Sequence, residues 1–429
     1  MMSDKEAQRF FYGWWVVVAS FFIVFFGAGI GFYSFSVFIK PLQAEFGWSR
    51  AQISGSVAVW AVVYGFSTPV IGILLHKYGA RVVISGSALI AGICYLFFGW
   101  LDRLPELFAI MFFTGIGMAG ITLLPNQAVI SNWFQKYRGR AMGIMMMGVG
   151  FGGLIMPPIA NAIIVSLGWR TSFRVLGFLL IFVIIPVAIL ILRTKPSEMG
   201  LRPDGDSSSQ GAESSTSGGS AWGETGLSVK RAVHTSSFRL LFAGFMLLIF
   251  GESGLAVHFV ASVDDAGMTS QAAANYWGLL VGVSAIGRLG AGLLADRWNQ
   301  RVLLAFTHGL HAVALAILLI FFMYLGIHSW IAVVPFCVLY GLSLGGAAVV
   351  LPVFVARCFG LLNFSKLLGL LMSGFALGVV GGPVVAGNIV DATGSYRLAF
   401  AIFTVAFALS AFLVSLVQPD KYKGEFGNP

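Results

Sequence analysis

The amino-acid sequence predicts an all-α membrane protein with twelve transmembrane helices in two pseudo-symmetric six-helix bundles. Three observations predict it: an apolar excess that no water-facing surface absorbs, twelve apolar runs of spanning length, and an order of signatures that recurs in both halves. Hydrophobic residues make up 58% of the 429, charged residues only 10%, and the mean hydropathy is +0.89. Soluble domains carry about a quarter charged residues, so lipid must be the main solvent of this chain.

A helix that crosses the bilayer needs about 20 apolar residues. Runs of that kind, bounded by charged or turn-forming residues, fall at 13–38, 52–75, 82–101, 105–130, 140–166, 171–192, 238–262, 272–294, 302–325, 329–355, 367–390 and 396–417. One long polar stretch, 193–237, interrupts them. It contains DGDSSSQGAESSTSGGSAWGE, a Ser/Gly-rich composition that cannot bury a core and predicts a flexible linker. The expected organisation is an N-terminal six-helix bundle over 1–192, a linker over 193–237, and a C-terminal bundle with a short tail over 238–429.

The N-terminus, MMSDKEAQRF, is mixed in charge, and the apolar run after it lacks a small-residue cleavage site. It predicts a retained first helix rather than a secretory signal. Three cysteines (Cys94, Cys337 and Cys358) lie in or at the ends of apolar runs. An odd number without a spacing pattern gives neither a disulfide framework nor a metal site.

The net charge of +9 is spread over short loops rather than gathered on a polar domain, which excludes nucleic acid as a partner. With the N-terminus inside, 19 of the 26 Lys and Arg residues face the cytoplasm. Lys40, Arg50, Arg103, Arg170, Arg174 and Arg397 face the other side, and Arg288 lies within a helix. That bias predicts a multi-pass protein of a cell (inner or plasma) membrane, with both termini and the linker cytoplasmic.

The duplication is read from spacing. Gly72-Ile-Leu-Leu-His-Lys-Tyr-Gly-Ala-Arg81 aligns with Gly292-Leu-Leu-Ala-Asp-Arg-Trp-Asn-Gln-Arg301, 220 residues later. Pro157 meets Pro383 at 226, and Gly168-Trp-Arg170 meets Ser395-Tyr-Arg397 at 227. Matches in one order at near-constant spacing mark two copies of one unit.

On these residues, Gly292-Leu-Leu-Ala-Asp-Arg297 resembles the loop signature of the major facilitator superfamily, with His76-Lys77…Arg81 as its weaker N-half counterpart. Trp133-Phe…Arg138-Gly-Arg-Ala-Met-Gly143 fits the same superfamily. Tyr12-Gly-Trp-Trp, Phe46-Gly-Trp-Ser-Arg50 and an arginine inside helix eight are similar to the monocarboxylate transporter family and its oxalate/formate-exchanging relatives. The resemblance implies the major facilitator fold and secondary transport. It also implies that the helix-eight arginine, here Arg288, binds the substrate carboxylate.

Apart from any resemblance, ionisable residues inside spanning helices are costly and mark function by default. Arg288 sits about two turns from the end of its run, bracketed by apolar residues and glycines. Its planar fork suits bidentate capture of a carboxylate; the alternative is a helix lock onto backbone carbonyls. Ser284, one turn earlier on the same face, offers a hydroxyl. The family's proton-coupled members often carry an acid there, and its oxalate exchangers a mid-membrane lysine in helix eleven, where this chain has only Lys366 at the start. One buried positive charge points to a monoanion.

Glu252 in helix seven is the other intramembrane ionisable group, placed either to carry a coupled proton or to face a wet vestibule. By helical rise it differs from Arg288 in depth by about 9 Å, too far for a fixed direct pair. His258 either relays protons, orders the outer gate or bonds at the interface. Tyr340, Tyr33 and Asn126 are softer cavity candidates, the last because Pro125 breaks the backbone bonding beside it. Asp296, Arg297 and Arg301, with His76, Arg81 and Arg138 in the N-half, are candidate gating residues. They clasp helix ends by charge-assisted bonds in one conformation, or form a solvated loop that only obeys the positive-inside bias.

No metal constellation, nucleophile elbow or phosphate-binding loop is present, so an enzyme is not expected and no cofactor is called for. The expectation is a monomeric secondary transporter of small monocarboxylates, lactate- or pyruvate-like, working by alternating access with protons as co-substrate. The competing readings are a carboxylate exchanger without proton coupling, a lipophile or drug exporter, and a carboxylate receptor that does not transport.

Overall fold

The computed structural model describes residues 11–204, 226–265, 267–268, 270–327, 329–422 and 424. The extreme N-terminus and residues 205–225, most of the Ser/Gly-rich stretch, lie outside the described residues. Among those described there is no strand beyond two isolated bridges, and eleven helices are long and apolar enough to cross a membrane.

Eleven helices make twelve crossings because one of them folds back on itself. The helix Arg50–Phe97 is 48 residues long, about 72 Å at 1.5 Å per residue, more than twice the hydrocarbon thickness of about 30 Å. At Gly79 its backbone leaves the helix, with φ 79° and ψ 169°, a region open only to glycine. The fold-back is visible from α4, where a Cβ on Gly120 would touch both Ser87 and Ile71. Those two residues would stand about 24 Å apart on a straight helix. The limbs 50–78 and 80–97 are therefore α2 and α3, as the separate runs 52–75 and 82–101 predict.

The remaining spans are α1 (Gly13–Phe46), α4 (Leu104–Trp133), α5 (Arg138–Leu167), α6 (Trp169–Leu190), α9 (Gln300–Tyr324), α10 (Trp330–Phe359), α11 (Phe364–Thr393) and α12 (Arg397–Ser415), with α7 (Ser236–Asp265) and α8 (Ser270–Ala295). Large apolar side chains such as Val165, Phe182 and Leu190 are fully presented to the outside, as a lipid-facing surface requires. Local chemistry sets several ends. Ser49 and Gln52 form a reciprocal capping box at the start of α2, and Asn299 accepts the Arg301 N–H at 3.0 Å to start α9.

At both ends of the stretch 193–237 the described residues make defined contacts with the bundles. Thr194 Oγ1 accepts the Ala80 N–H at 2.8 Å and the Leu192 carbonyl accepts Arg81 Nε at 2.6 Å, pinning the α2–α3 turn. The Asp204 N–H donates to the Trp133 carbonyl, and the Leu227 N–H to the Phe359 carbonyl. These two anchor points repeat the 226-residue spacing of the duplication.

The two halves meet along paired helices at the end that carries the termini. Gly72 of α2 lies against the backbone of Ser365 and Lys366, and a Cβ on Gly65 would stand 2.6 Å from that of Ala376. Thr68 Oγ1 donates to the Gly369 carbonyl at 3.1 Å. On the other seam Gly139 and Gly143 of α5 face Gly292 and the Arg288 carbonyl of α8. Farther along, Cβ atoms built on Gly278, Gly282 and Gly387 meet nothing within 4 Å. The halves are in contact along both seams at the end where α1 begins and α12 ends.

Candidate functional site

Arg288 reaches the seam between the halves because glycines leave room for it. A Cβ on Gly150 of α5 would come within 3.2 Å of Arg288 Nη1, and a Cβ on Gly143 within 2.8 Å of its carbonyl oxygen. Arg288 is only 5% exposed. Its Nη1 donates to Ser284 Oγ at 2.8 Å, while the Ser284 hydroxyl donates to the Val281 carbonyl at 2.6 Å. Ser284 thus aims the guanidinium and has no hydrogen left for a ligand in this conformation. Arg288 Nε has no partner. Tyr33 of α1 and Glu252 of α7 lie near enough to act on it electrostatically.

Tyr33 owes its position to a defect in α1. The helix widens to a π turn over Gly29–Tyr33 and tightens to a 3-10 turn over Ser34–Phe38, the sort of local irregularity found at functional sites. The ring rests where Gly153 of α5 has no side chain. Arg288, Tyr33 and Ser284 therefore converge, joining α1 of one half to α8 of the other.

Glu252 is not paired with Arg288. Its Oε1 lies 3.1 Å from Nε2 of His311 in α9, a residue that the sequence reading missed. The ring N–H does not point along the contact, so this is an ion-pair approach and not an aligned hydrogen bond. His311 Nδ1 is bonded to the Thr307 carbonyl at 3.0 Å, and the ring is wholly buried while Glu252 keeps 17% exposure. Tyr340 of α10 packs edge-on to the His311 ring at 4.7 Å, and its hydroxyl, buried, has no partner. Phe407 of α12 covers the other side at 5.1 Å. The signal in the sequence was two histidines, His308 and His311, inside an apolar run. His308 braces helices: its Nδ1 meets Ser410 Oγ at 2.7 Å, which donates to the Gly244 carbonyl.

Other candidates stand farther from this cluster in role. Asn126 Nδ2 donates to the Ile121 and Thr122 carbonyls at 2.7 and 2.6 Å. Pro125 has no N–H to give the Ile121 carbonyl, and the amide supplies it. Only Asn126 Oδ1 is left over, an acceptor that repels a carboxylate rather than binding one. His258 Nε2 donates to the Pro383 carbonyl at 3.1 Å, tying α7 to α11 where proline breaks the ladder.

At the closed end Asp296 crosses between the halves. Its Oδ1 accepts the Gly139 N–H at 2.5 Å and its Oδ2 the Arg140 N–H at 3.0 Å. Arg140 Nε adds an ion-pair contact at 3.6 Å. These are first-turn donors of α5, free to bind an anion at a positive helix end. Burial lifts the Asp296 carboxyl above its ordinary range, against the pull of those bonds. Asp204 takes the preceding donors: the N–H groups of Gln135, Lys136 at 3.1 Å and Tyr137 at 2.8 Å. Arg138 lies between the two acids, its Nε and Nη2 bonded to the Phe134 and Ser131 carbonyls.

The other gating candidates are not part of that clasp. Arg297 is exposed, and Arg301 Nη1 reaches the Val417 carbonyl at 3.5 Å. In the N-half, His76 and Arg81 line a cleft of about 420 Å³ with Lys195 and Ser365. Glu198 lines the same cleft, but its carboxylate accepts the Lys195 N–H at 3.0 Å within its own segment, and among the described residues no acid there accepts from the start of α11.

The sequence matches the Major Facilitator Superfamily over residues 21–360. It is 24% identical over 423 residues to monocarboxylate transporter 12 of Rattus norvegicus, covering 95% of this chain and 86% of that one. Against monocarboxylate transporter 2 of Homo sapiens the identity is 25%, over 90% of this chain and 81% of the relative. The uncharacterized MFS-type transporter YcxA of Bacillus subtilis (strain 168) is 25% identical, over 96% and 97% of the two chains. Among solved structures, the human organic anion transporter MFSD10 (TETRAN) superposes with a TM-score of 0.70 at 16% identity, over 94% of this chain and 99% of that one. The transporter FucP in its outward conformation gives 0.67 at 14%, over 94% and 98%. At such identities the structural likeness speaks for the fold alone.

Proposed function

The chain belongs to the major facilitator superfamily, and from that premise we propose that it carries small monocarboxylate anions across the membrane by alternating access, with a proton as co-substrate. The observation that carries this reading is the buried guanidinium of Arg288 on the seam between the halves, with Nε unpartnered and no fixed acid bonded to it. Such a group demands an anion, and its fork fits a carboxylate. The relatives named monocarboxylate transporters support the same substrate class. One cation in the site favours a monoanion over a dianion.

The halves rock about this site. In the conformation described, the bonds from the start of α5 to Asp296 and the glycine contacts of α2 with α11 hold one end shut. The Lys/Arg bias assigns that end to the cytoplasm, so the conformation described is one closed on the cytoplasmic side. The proton is supported by the buried Glu252–His311 contact beside the site.

The test is uptake of labelled lactate, pyruvate, formate and oxalate into proteoliposomes holding the full chain. Monocarboxylates enter and are mutually competitive, and oxalate enters poorly. Uptake of none of the four, or equal uptake of oxalate, overturns the reading.

A further inference from the structure

We propose that Glu252 of α7 and His311 of α9 form the proton-binding site of this transporter, taking up one proton on Oε1 or on Nε2 across their 3.1 Å contact and tying it to the carboxylate at Arg288. The inference rests on the carboxylate reading above and deepens it.

The tautomer follows from the partners. The Thr307 carbonyl only accepts, so His311 Nδ1 must carry a hydrogen. Nε2 is then either bare or carries the second proton of an imidazolium. A bare nitrogen lone pair 3.1 Å from a carboxylate oxygen is repulsive; one proton between them, on either atom, makes the contact attractive. The pair is a two-acceptor seat for a single proton. The proton comes from water on the open side, forms one O–H or N–H bond, and returns to water on the other side. No other bond changes.

Counting charge gives the coupling. With neither ligand bound, Arg288 (+1) and Glu252 (−1) cancel. With both bound, Arg288 cancels the substrate carboxylate and the protonated pair is neutral. Either ligand alone leaves one net charge among Tyr340, Phe336 and Phe407, which a weakly polarisable interior disfavours. The halves therefore exchange faces when the site is empty or holds both. By linkage, the proton and the carboxylate raise each other's affinity by the same factor.

The surroundings contain few competing groups. Arg288 acts from α8 and Tyr340 from α10, and both are part of the scheme. From α9 itself His308 faces His311, with its Nδ1 committed to Ser410. Phe407 and Ser410 of α12 do not titrate. At α11 the glycines that meet α7 (Gly374, Gly378, Gly381 and Gly382) carry no charge, and the titratable group at that seam, His258 of α7, has Nε2 committed to the Pro383 carbonyl.

The experiment is carboxylate accumulation in proteoliposomes under an inward gradient of one pH unit, with a potassium potential imposed or absent. One-for-one coupling drives the anion to about tenfold accumulation, and the potential leaves that ratio unchanged because the loaded site is neutral. Glu252→Gln fixes the pair as neutral, so the empty carrier keeps the Arg288 charge and cannot return. Its accumulation falls to about onefold, while exchange of labelled for unlabelled carboxylate persists and shows that the variant is folded. His311→Gln leaves the carboxylate alone to take the proton and moves the pH profile of uptake to lower pH. Tenfold accumulation by Glu252→Gln, or a His311→Gln profile that superimposes on the parent, overturns the proposal. So does a parent protein that takes up carboxylate without accumulating it. Uptake of no carboxylate at all strikes the preceding reading instead.

Discussion

Asp296, the first residue of the α8–α9 loop, accepts the Gly139 N–H at 2.5 Å across the boundary between the halves. The same carboxylate accepts the Arg140 N–H, so one side chain of the C-half serves as the anion at the start of an N-half helix. Asp296→Asn removes the charge and one of the two acceptor oxygens. The amide nitrogen that replaces Oδ2 cannot accept the Arg140 N–H, and a buried donor left unsatisfied costs about 1–3 kcal/mol, so the closed conformation should lose about 5-fold or more in relative population. Spin labels at the exposed positions Lys136 and Trp298 read this as a shift toward longer distances. An unchanged distribution would remove Asp296 from the gate.

The same carboxyl predicts a pH dependence with a definite sign. Burial raises Asp296 above the 3.8 of an ordinary aspartate, so the closed conformation holds this proton better than a solvated, open one does. The advantage is complete below 3.8 and is lost as pH rises through the raised value. The labelled distance distribution should therefore move toward the open form as pH climbs through that acidic window and stay flat above it. Asp296→Asn should abolish the response. A parent protein that opens as the pH falls contradicts the sign.

The residues of the site differ in how legible they were, and the difference is physical. Arg288 was legible because a lone guanidinium in an apolar run has few ways to exist. Glu252 was legible as an intramembrane acid, but its partner was not. Depth and rotation about a helix axis decide which side chains of α7 and α9 face each other, and an apolar run records neither. His311 alone, 59 positions away in the chain, reads as an ordinary buried ring. Asp204 was hidden for another reason. It begins a Ser/Gly-rich segment whose composition predicts no structure, yet three backbone donors of the α4–α5 loop hold it. The twelve spans were legible because lipid allows so few alternatives.

Gly79 reverses the chain between α2 and α3 in a backbone region that costs other residues about 1–3 kcal/mol. A Cβ there would also stand 2.8 Å from Thr194 Oγ1, disturbing the hydroxyl that accepts the Ala80 N–H. Gly79→Ala should lower the thermal unfolding midpoint of the purified protein by several degrees, roughly 2–4 °C per kcal/mol for a chain of 150–250 residues and less for a longer one. Gly86→Ala, at a position where a Cβ meets nothing within 4 Å, is the control and should change it little. Equal midpoints for the two variants would mean that the turn does not require glycine.

Gly292 tests the seam itself. A Cβ there would stand 2.5 Å from the Gly139 carbonyl oxygen and 3.0 Å from the Gly143 Cα, backbone atoms that cannot step aside. Gly292→Ala should disfavour the closed conformation by about 1–3 kcal/mol, the usual cost of overpacking, and slow uptake accordingly. Thermal stability should hardly change, because the open form relieves the clash. A variant that unfolds early but keeps the parent's distance distribution would show the glycine serving stability rather than closure.

Arg288 carries the substrate assignment, so its substitutions must separate binding from folding. Arg288→Gln keeps much of the side-chain length and removes the charge. Truncating one partner of a buried charge pair costs about 2–5 kcal/mol, so carboxylate uptake per protein should fall at least thirtyfold, with the elution profile and melting unchanged. Arg288→Lys keeps the charge without the fork and should recover only part of the loss, chiefly through a raised KM. Ser284→Ala separates aim from charge. The guanidinium loses the 2.8 Å bond that orients it, and uptake should fall by about tenfold, the lower end of the about 1.5–3 kcal/mol that a hydrogen bond to a charged group is worth. An Arg288→Gln protein that transports at the parent rate would leave the buried guanidinium as a helix lock, because nothing but an anion at that fork explains loss in the first variant, partial rescue in the second and a graded defect in the third.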